Sequence, residues 1–357
     1  MSEAIGEFVG FDGLAKLAPQ WADLCARAAP NPFAEPSFLL PLLAYEQPKR
    51  LVFVLARSGG RLIGFAALIA PPLGLARVWV SPYAALPAMA FDREAAAPAI
   101  AAIAALLGAK TRLTGIVWPF VEAGSGFDLA LRAAGLPLIC AGRIRRSALR
   151  LAGAAAFETG LDAKRRTKWA RQARKLAARG RLEGKPESPE AFFAIERAGW
   201  KGARRSALAD DPARLAFARA ALQAFEASGR LDALTLRLDG AAIAAGLVLI
   251  AGERAFYWKT AYDEAYAEAS PGVQLTLAHS RRLADTPGLT LADSCALEDH
   301  PMIGRVWGDW LAFAHWGMAL DAANVRPLAI WLAWARARAG ARERLKQWVH
   351  AMRRRPR

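Results

Sequence analysis

Apolar and polar positions in this chain follow two periods, and the switches between them mark out its elements. Over 13–29, Leu14, Leu17, Trp21 and Leu24 recur every three or four residues, which predicts a helix opened by Asp12 and ended by Pro30-Asn31-Pro32. A second helix opens at Glu35-Pro36-Ser37 and carries Phe38, Leu39, Leu42 and Leu43. Short apolar runs over 7–11, 51–57, 61–70, 75–80 and 112–118 predict strands, and 137–150 reads as extended. Helices are predicted over 93–107 and 127–134. The same grammar then recurs: helices over 158–180, 189–200 and 212–229, strands over 231–238, 241–250 and 255–262, a helix over 270–284 and a strand over 289–293.

The recurrence is also visible residue by residue. Phe53 to Ala70 lines up without a gap on Leu234 to Ala251, each with a glycine-containing turn at its centre (Ser58-Gly59-Gly60; Asp239-Gly240). Helices precede each hairpin, and strand, helix and strand follow it. The period is too long for a solenoid repeat. It predicts a duplicated mixed α/β domain, over 1–150 and 151–325, followed by a basic helical tail over 326–357.

Arg254 to His300 holds the densest chemistry. An aromatic strand runs into Ser270-Pro271-Gly272, which opens a helix: serine suits the cap, proline the first helical position, and glycine lets a ligand approach the backbone. A strand feeding a helix start is a natural anion site, because the first helical N–H groups lack backbone partners. The same three residues also suit a plain helix cap.

Charge adds a second feature. The formal net charge is +16, and residues 143–185 hold fourteen Lys or Arg against Glu158, Asp162 and Glu183. Lys164, Lys168, Arg171 and Lys175 form a stripe, and Arg165, Arg166, Arg174 and Arg179 carry the charge round the helix. Such a block is either solvated or binds a polyanion: tRNA, acidic membrane or sugar phosphate. The tail, with Trp331, Trp334, Trp348 and arginine clusters, either packs on the core or lies on an acidic membrane surface.

Several classes are disfavoured. The apolar stretches at 64–76 and 95–107 fall short of the roughly 18–20 residues of a spanning helix. The acidic start lacks a basic n-region, which places the protein in the cytoplasm, with a peripheral contact at the inner membrane open to the tail. Cys25, Cys140 and Cys295 suit neither a disulfide framework nor a zinc site, and no metal is expected.

The element order resembles the GNAT acyltransferase fold, here in tandem. Gly199-Trp200-Lys201-Gly202, the Leu-Asp-Gly hairpin, Phe256 to Glu264, Ser270-Pro271-Gly272, and Asp293 to Ala296 with His300-Pro301 resemble the acetyltransferase-domain family of CelD-type cellulose-biosynthesis proteins. That family is related to Fem-type peptidoglycan aminoacyl-transferases, which pair two GNAT-like domains. The resemblance is strongest over about 164–310; before that it is one of architecture. One departure stands out: the usual pyrophosphate loop is rich in glycine and basic residues, and only Gly272 remains here. Fem-type proteins depart similarly and use aminoacyl-tRNA.

What the resemblance implies is acyl transfer, first of acetyl, from acyl-CoA, or second to it from an acyl carrier protein, to an amine or hydroxyl of a polar or saccharide substrate, in polysaccharide or cell-envelope synthesis. Backbone around Trp258, Lys259 and Thr260 would pair with a pantetheine arm, and Ser270 with the N–H groups of Gly272, Val273 and Gln274 would face phosphates. Such chemistry needs a base and oxyanion donors. Asp293 at a strand end is a candidate base, Tyr257 a general acid, and His300, beside Asp299, a titrating group. Trp200, Lys201, Tyr262 and Asp263 are candidates for substrate contact. Each has a plainer alternative: a capping Asp, a packed Tyr, a helix-starting His-Pro. Cys295 has no histidine placed to activate it. An aminoacyl-tRNA-dependent transferase and a non-catalytic accessory protein of an exopolysaccharide system remain the alternatives.

Overall fold

The computed structural model describes residues 3–298, 300 and 302–353, with 339 and 342–353 as backbone only. Its strands, in chain order, are β1 (Ala4–Val9), β2 (Leu51–Ser58), β3 (Arg61–Ile69), β4 (Leu73–Val78), β5 (Met89–Phe91), β6 (Arg112–Glu122), β7 (Leu138–Arg150), β8 (Leu182–Pro186), β9 (Leu231–Leu238), β10 (Ala241–Ala251), β11 (Arg254–Tyr262), β12 (Leu291–Asp293) and β13 (Asp309–Ala319). All belong to one mixed sheet ordered β1-β2-β3-β4-β6-β13-β7-β12-β11-β10-β9-β8, with β5 paired to β3.

That order is symmetric about its centre. β1 to β4 form an antiparallel meander, and a crossover through the helix Ala96–Lys110 sets β6 parallel to β4. β8 to β11 repeat the meander, and the helix Pro271–Ala284 sets β12 parallel to β11. At the middle the halves exchange strands. β7, which ends the first half, pairs antiparallel with β12, and β13 from the far end of the chain pairs with β6. β7 and β13 pair with each other and seal the seam.

Both central hairpins turn on residues with positive φ, Gly59-Gly60 and Asp239-Gly240, as a two-residue turn matching strand twist requires. Each has a bulge at the same place, skipping Ile63 in one and Ile243 in the other. Arg57 donates to the Gly60 carbonyl and Arg237 to that of Gly240. These matches fix the equivalence at Arg57 with Arg237, one residue away from the gapless sequence alignment, which put Ser58 on Asp239. The repeat is genuine; its register follows the bulge, which a string comparison does not contain.

The structure corrects other expectations. The predicted helix over 13–29 is two helices, Phe11–Lys16 and Ala18–Arg27, broken at Leu17 before Pro19. The basic helix is Ala163–Ala177, capped by Asp162 and separate from the preceding Ala154–Gly160. β5, β8 and β13 add strands that the pattern did not announce. The tail forms the helix Val325–Arg353. Its Leu328 and Leu332 are buried, and Trp331 packs over Gly74, so its first turns belong to the core. Trp334 is exposed, and the Trp348 side chain lies outside the described residues. Among the described residues no helix is long and apolar enough to cross a membrane.

Helices Ala18–Arg27, Pro36–Glu46, Glu190–Ala198 and Pro212–Ala227 cover one face of the sheet and share one core spanning both halves, in which Phe38 meets Phe217 and Trp258 edge-on. Polar ties repeat the link: Arg230 grips Glu35 through two hydrogen bonds of 2.8 and 2.7 Å, and Arg254 grips Glu122. Exchange and shared core predict that neither half folds alone. Residues 1–152 and 153–357, expressed separately, should show no cooperative thermal transition by circular dichroism and regain one when mixed. A cooperative melt of either piece alone would contradict this.

Candidate active site

β11 and β12 pair over only three residues, Arg254 to Phe256 against Leu291 to Asp293. Beyond them β12 ends, and among the described residues the edge of β11 facing away from β10 has no strand partner from Tyr257 to Tyr262. A bulge sits at the parting: the β10 register steps from Tyr257 to Lys259 and skips Trp258. Unpaired backbone groups at a strand edge are a template for another hydrogen-bonding chain.

A cavity of about 510 Å³ lies along this open edge. Thr260, Ala261 and Tyr262 line it from β11, Ser270, Gly272 and Val273 from the next helix start, and Glu196, Trp200 and Lys201 from the end of another helix. Lys168 and Gln172 of the basic helix, with His300, Met302 and Arg305, complete its wall. The cavity thus runs from one face of the sheet past the parting to the other.

At the helix start, Ser270 is in the left-handed region at φ 51°, and its carbonyl accepts from both Val273 and Gln274 N–H. The hydroxyl accepts from Gln172 Nε2 at 2.8 Å rather than from the helix amides. Gln274 turns its side chain away, to the Trp169 carbonyl. With Pro271 lacking an N–H, Gly272 has the one first-turn amide without a backbone partner among the described residues. A Cβ on Gly272 would lie 3.2 Å from the Tyr262 ring and 3.3 Å from the Met302 sulfur, so glycine keeps this passage open.

Behind the cavity is a buried polar cluster. Glu196, on a helix whose other inward residues are Phe192, Phe193 and Ile195, is 4% exposed. One of its oxygens accepts from Lys201 Nζ at 2.7 Å and the other from Leu208 N–H at 2.8 Å. Lys259 stands over the rings of Tyr83 and Trp258, and among the described residues its side chain makes no ion pair or hydrogen bond. Burial, then the Lys201 charge, lowers its pKa to about 8.

Not every residue singled out from sequence reaches the cavity. Tyr257 faces the helix Pro271–Ala284, is buried, and shares a hydrogen bond with Thr276; burial raises its pKa, so it packs the core rather than meeting a ligand. Trp258 is buried and donates to the Tyr83 carbonyl. Asp263 caps the turn Glu264–Ala269 through Ala265 N–H. His300 does line the cavity. Its Nδ1 accepts from Met302 and Ile303 N–H at 3.4 Å, which leaves Nε2 as the ring's donor position, and burial lowers its pKa. Asp299 and Pro301 lie outside the described residues.

Asp293 sits at the vertex of the parting, 2% exposed, on the wall of a second cavity of about 410 Å³ between the halves. It is paired with Arg146 of β7 at 3.3 Å and accepts from Cys295 N–H at 2.8 Å. Burial pushes its carboxyl up, and the Arg146 charge and the Cys295 amide pull it back. Arg146 also donates to the Ala85 carbonyl and lies over the Phe313 ring. Asp293 therefore joins strands rather than facing the first cavity. Burial also raises the Cys295 thiol well above its ordinary range, which removes it as a nucleophile. Glu196 is the residue that sequence reasoning missed. Its signal was a carboxylate on the inward face of an apolar helix, just before Gly199-Trp200-Lys201.

The corresponding place in the first half is built differently. β4 and β6 stay paired through Arg77 and Val117, and Asp92 and Glu94 precede the helix Ala96–Lys110. Asp92 is buried and held by Arg27. Acid at a helix start answers the dipole and repels an anion. The open slot is a property of the second half.

A strand parting beside a helix start, on an antiparallel meander followed by a parallel crossover, defines a GNAT-type acyltransferase fold. Comparison with known proteins agrees. Residues 163–298 match the family model described as an acetyltransferase (GNAT) domain, which supports a transferase enzyme. The structure of FemX superposes with a TM-score of 0.55 at 11% identity, covering 87% of this chain and 96% of that one. The C-terminal domain of a protein described as a lysylphosphatidylglycerol synthetase, from Agrobacterium fabrum, superposes with a TM-score of 0.53 at 13% identity, covering 89% and 95%. At such identities these likenesses concern the fold. Among curated proteins, none matches the sequence. Among the described residues no group of three or more His, Cys, Asp or Glu is placed to hold a metal ion.

The role of Asp293 is open to direct test. Asp293→Ala leaves a buried guanidinium without its counter-charge and should cost about 3–5 kcal/mol of stability, read by urea denaturation. A loss below about 1 kcal/mol would show that the pair does not hold the seam.

Proposed function

We propose that the chain moves an acyl group, acetyl first, from acyl-CoA to an amine or hydroxyl of a polar substrate, with saccharide or cell-envelope building blocks as the acceptor class and the CelD-type proteins as the finer family. The observation that carries this is the unpartnered edge of β11 running beside the free amide of Gly272. Acyl-CoA supplies an activated thioester carbonyl. The backbone from Trp258 to Tyr262 offers groups to pair with amides of a pantetheine arm. The Gly272 amide, with Lys168 and Arg305 in the same wall, receives phosphate.

On the other face, Trp200 flanks the acceptor and the Lys201–Glu196 pair lines its approach, while Tyr262 stands at the passage beside Gly272. Lys259, which stands behind the cavity wall, takes the proton that the acceptor sheds as it attacks, since its pKa of about 8 leaves a minority of it neutral near physiological pH. His300 donates from Nε2 toward the departing sulfur. An aminoacyl-tRNA donor is the second reading, favoured by the exposed basic helix that borders the slot.

Two experiments follow. Acetyl-CoA at 100 times its dissociation constant should stabilise the protein by about 2.7 kcal/mol, seen as a rise in Tm; no shift with acetyl-CoA, CoA or tRNA would remove both donors. Thiol release from acetyl-CoA, with amino sugars and polyamines as acceptors, should climb with pH through a midpoint near pH 8 and level off beyond it, because neutral Lys259 accumulates there. Lys259→Arg, which stays protonated, should lose the rise and at least 100-fold in rate. An unchanged profile in that variant would exclude Lys259 as the base.

A further inference from the structure

The basic helix Ala163–Ala177 touches the protein through few of its residues. Trp169 and Leu176 are buried, and Gln172 is fixed to Ser270. Lys164, Arg166, Lys168, Arg171, Arg174 and Lys175 are exposed, and among the described residues none of them makes an ion pair. The nearby Arg179 and Arg181, by contrast, pair with Glu268 and Glu183. The unpaired cations start at the slot and run away from it. Lys168 lines the cavity; the other five do not. A ligand confined to the cavity would leave those five unused.

Three features narrow the class of ligand. Among the described residues the helix start has a single first-turn amide without a partner, at Gly272, which suits one phosphate better than the pyrophosphate of a nucleotide. The open β11 edge calls for an arm bearing amides, which a pantetheine has and the terminal ribose of an RNA lacks. The exposed face of the basic helix has no aromatic residue on which a base could stack, its Trp169 being buried. One phosphate, an amide-bearing arm and an extended acidic surface beyond them together describe a phosphopantetheine-bearing carrier protein.

We infer that this helix docks a small acidic acyl carrier protein, whose phosphopantetheine thioester threads the slot and serves as the acyl donor in place of free acyl-CoA. The inference rests on the acyl-transfer reading above and specifies its donor. The covalent step is unchanged: the bond from the acyl carbon to the acceptor nitrogen or oxygen forms, the bond to the arm's sulfur breaks, and the acceptor's proton, taken first by Lys259, passes to the released thiolate. The exposed charges steer and hold the carrier, so its binding is sensitive to salt.

The test measures dissociation constants of the full-length protein for acetylated acyl carrier protein, its apo form without the arm, acetyl-CoA and bulk tRNA, at two ionic strengths. The acetylated carrier should bind at least tenfold tighter than acetyl-CoA at low salt and lose that advantage at high salt, and the apo form should bind more weakly than the loaded one. The triple variant Arg171→Glu, Arg174→Glu, Lys175→Glu, all outside the cavity, should weaken carrier binding at least 30-fold and leave acetyl-CoA within threefold. Acetyl-CoA binding with no carrier binding overturns the inference and spares the acyl-transfer reading. Tighter binding of tRNA than of the carrier overturns it in favour of the other donor. Binding of neither thioester overturns both.

Discussion

The structure turns on one buried ion pair. Arg146 comes from β7, Asp293 from the end of β12, and the pair is held in turn by the Ala85 carbonyl, the Phe313 ring and the Cys295 amide. Two charges taken out of water gain little net stability, but losing one partner is costly, so such a pair fixes geometry more than it adds energy. Here the geometry is the point where β12 stops. One nitrogen of Arg146, Nε, stays buried without a partner, a further sign that the position is constrained from several sides.

Everything proposed about the site depends on that stop. If β12 continued, it would close the edge of β11 and no cavity would run beside it. Instead three paired residues give way to an open edge, a bulge and a helix start with a free amide. The first half uses the same plan with longer pairing and acid before its helix, and its slot is shut. The two halves thus differ at these few residues, and the open slot lies in the second. The exchanged strands β7 and β13 explain why the first is needed: each half completes the other's sheet.

Much of the fold was legible in the sequence. Hairpin turns at Gly59-Gly60 and Asp239-Gly240, the proline-led helices and the matched element order all act locally, so they show in a string of residues. The strand exchange did not show, because it depends on pairing between segments nearly two hundred residues apart; β13 had a period-two pattern in Leu311, Phe313 and His315, but nothing local says which strand it joins. The site was legible by stretch rather than by residue. Gly272, Thr260, Tyr262, Trp200, Lys201 and His300 do line one cavity. Tyr257 and Asp293 do not, because a strand residue's face depends on register and a bulge resets it. Glu196 escaped notice for the converse reason: a carboxylate among aromatics reads as an ordinary helix residue until its burial is known.

Hydrogen exchange on the intact protein, with and without acetyl-CoA or its carrier-bound form, tests the central claim most directly. The claim is that the donor's arm pairs with the open edge of β11 and its phosphate meets Gly272. Added donor should slow exchange at backbone amides within 257–262 and at Gly272, and leave the helix start before Ala96 unchanged. Protection confined to the first half, or to the cavity between the halves, would contradict it.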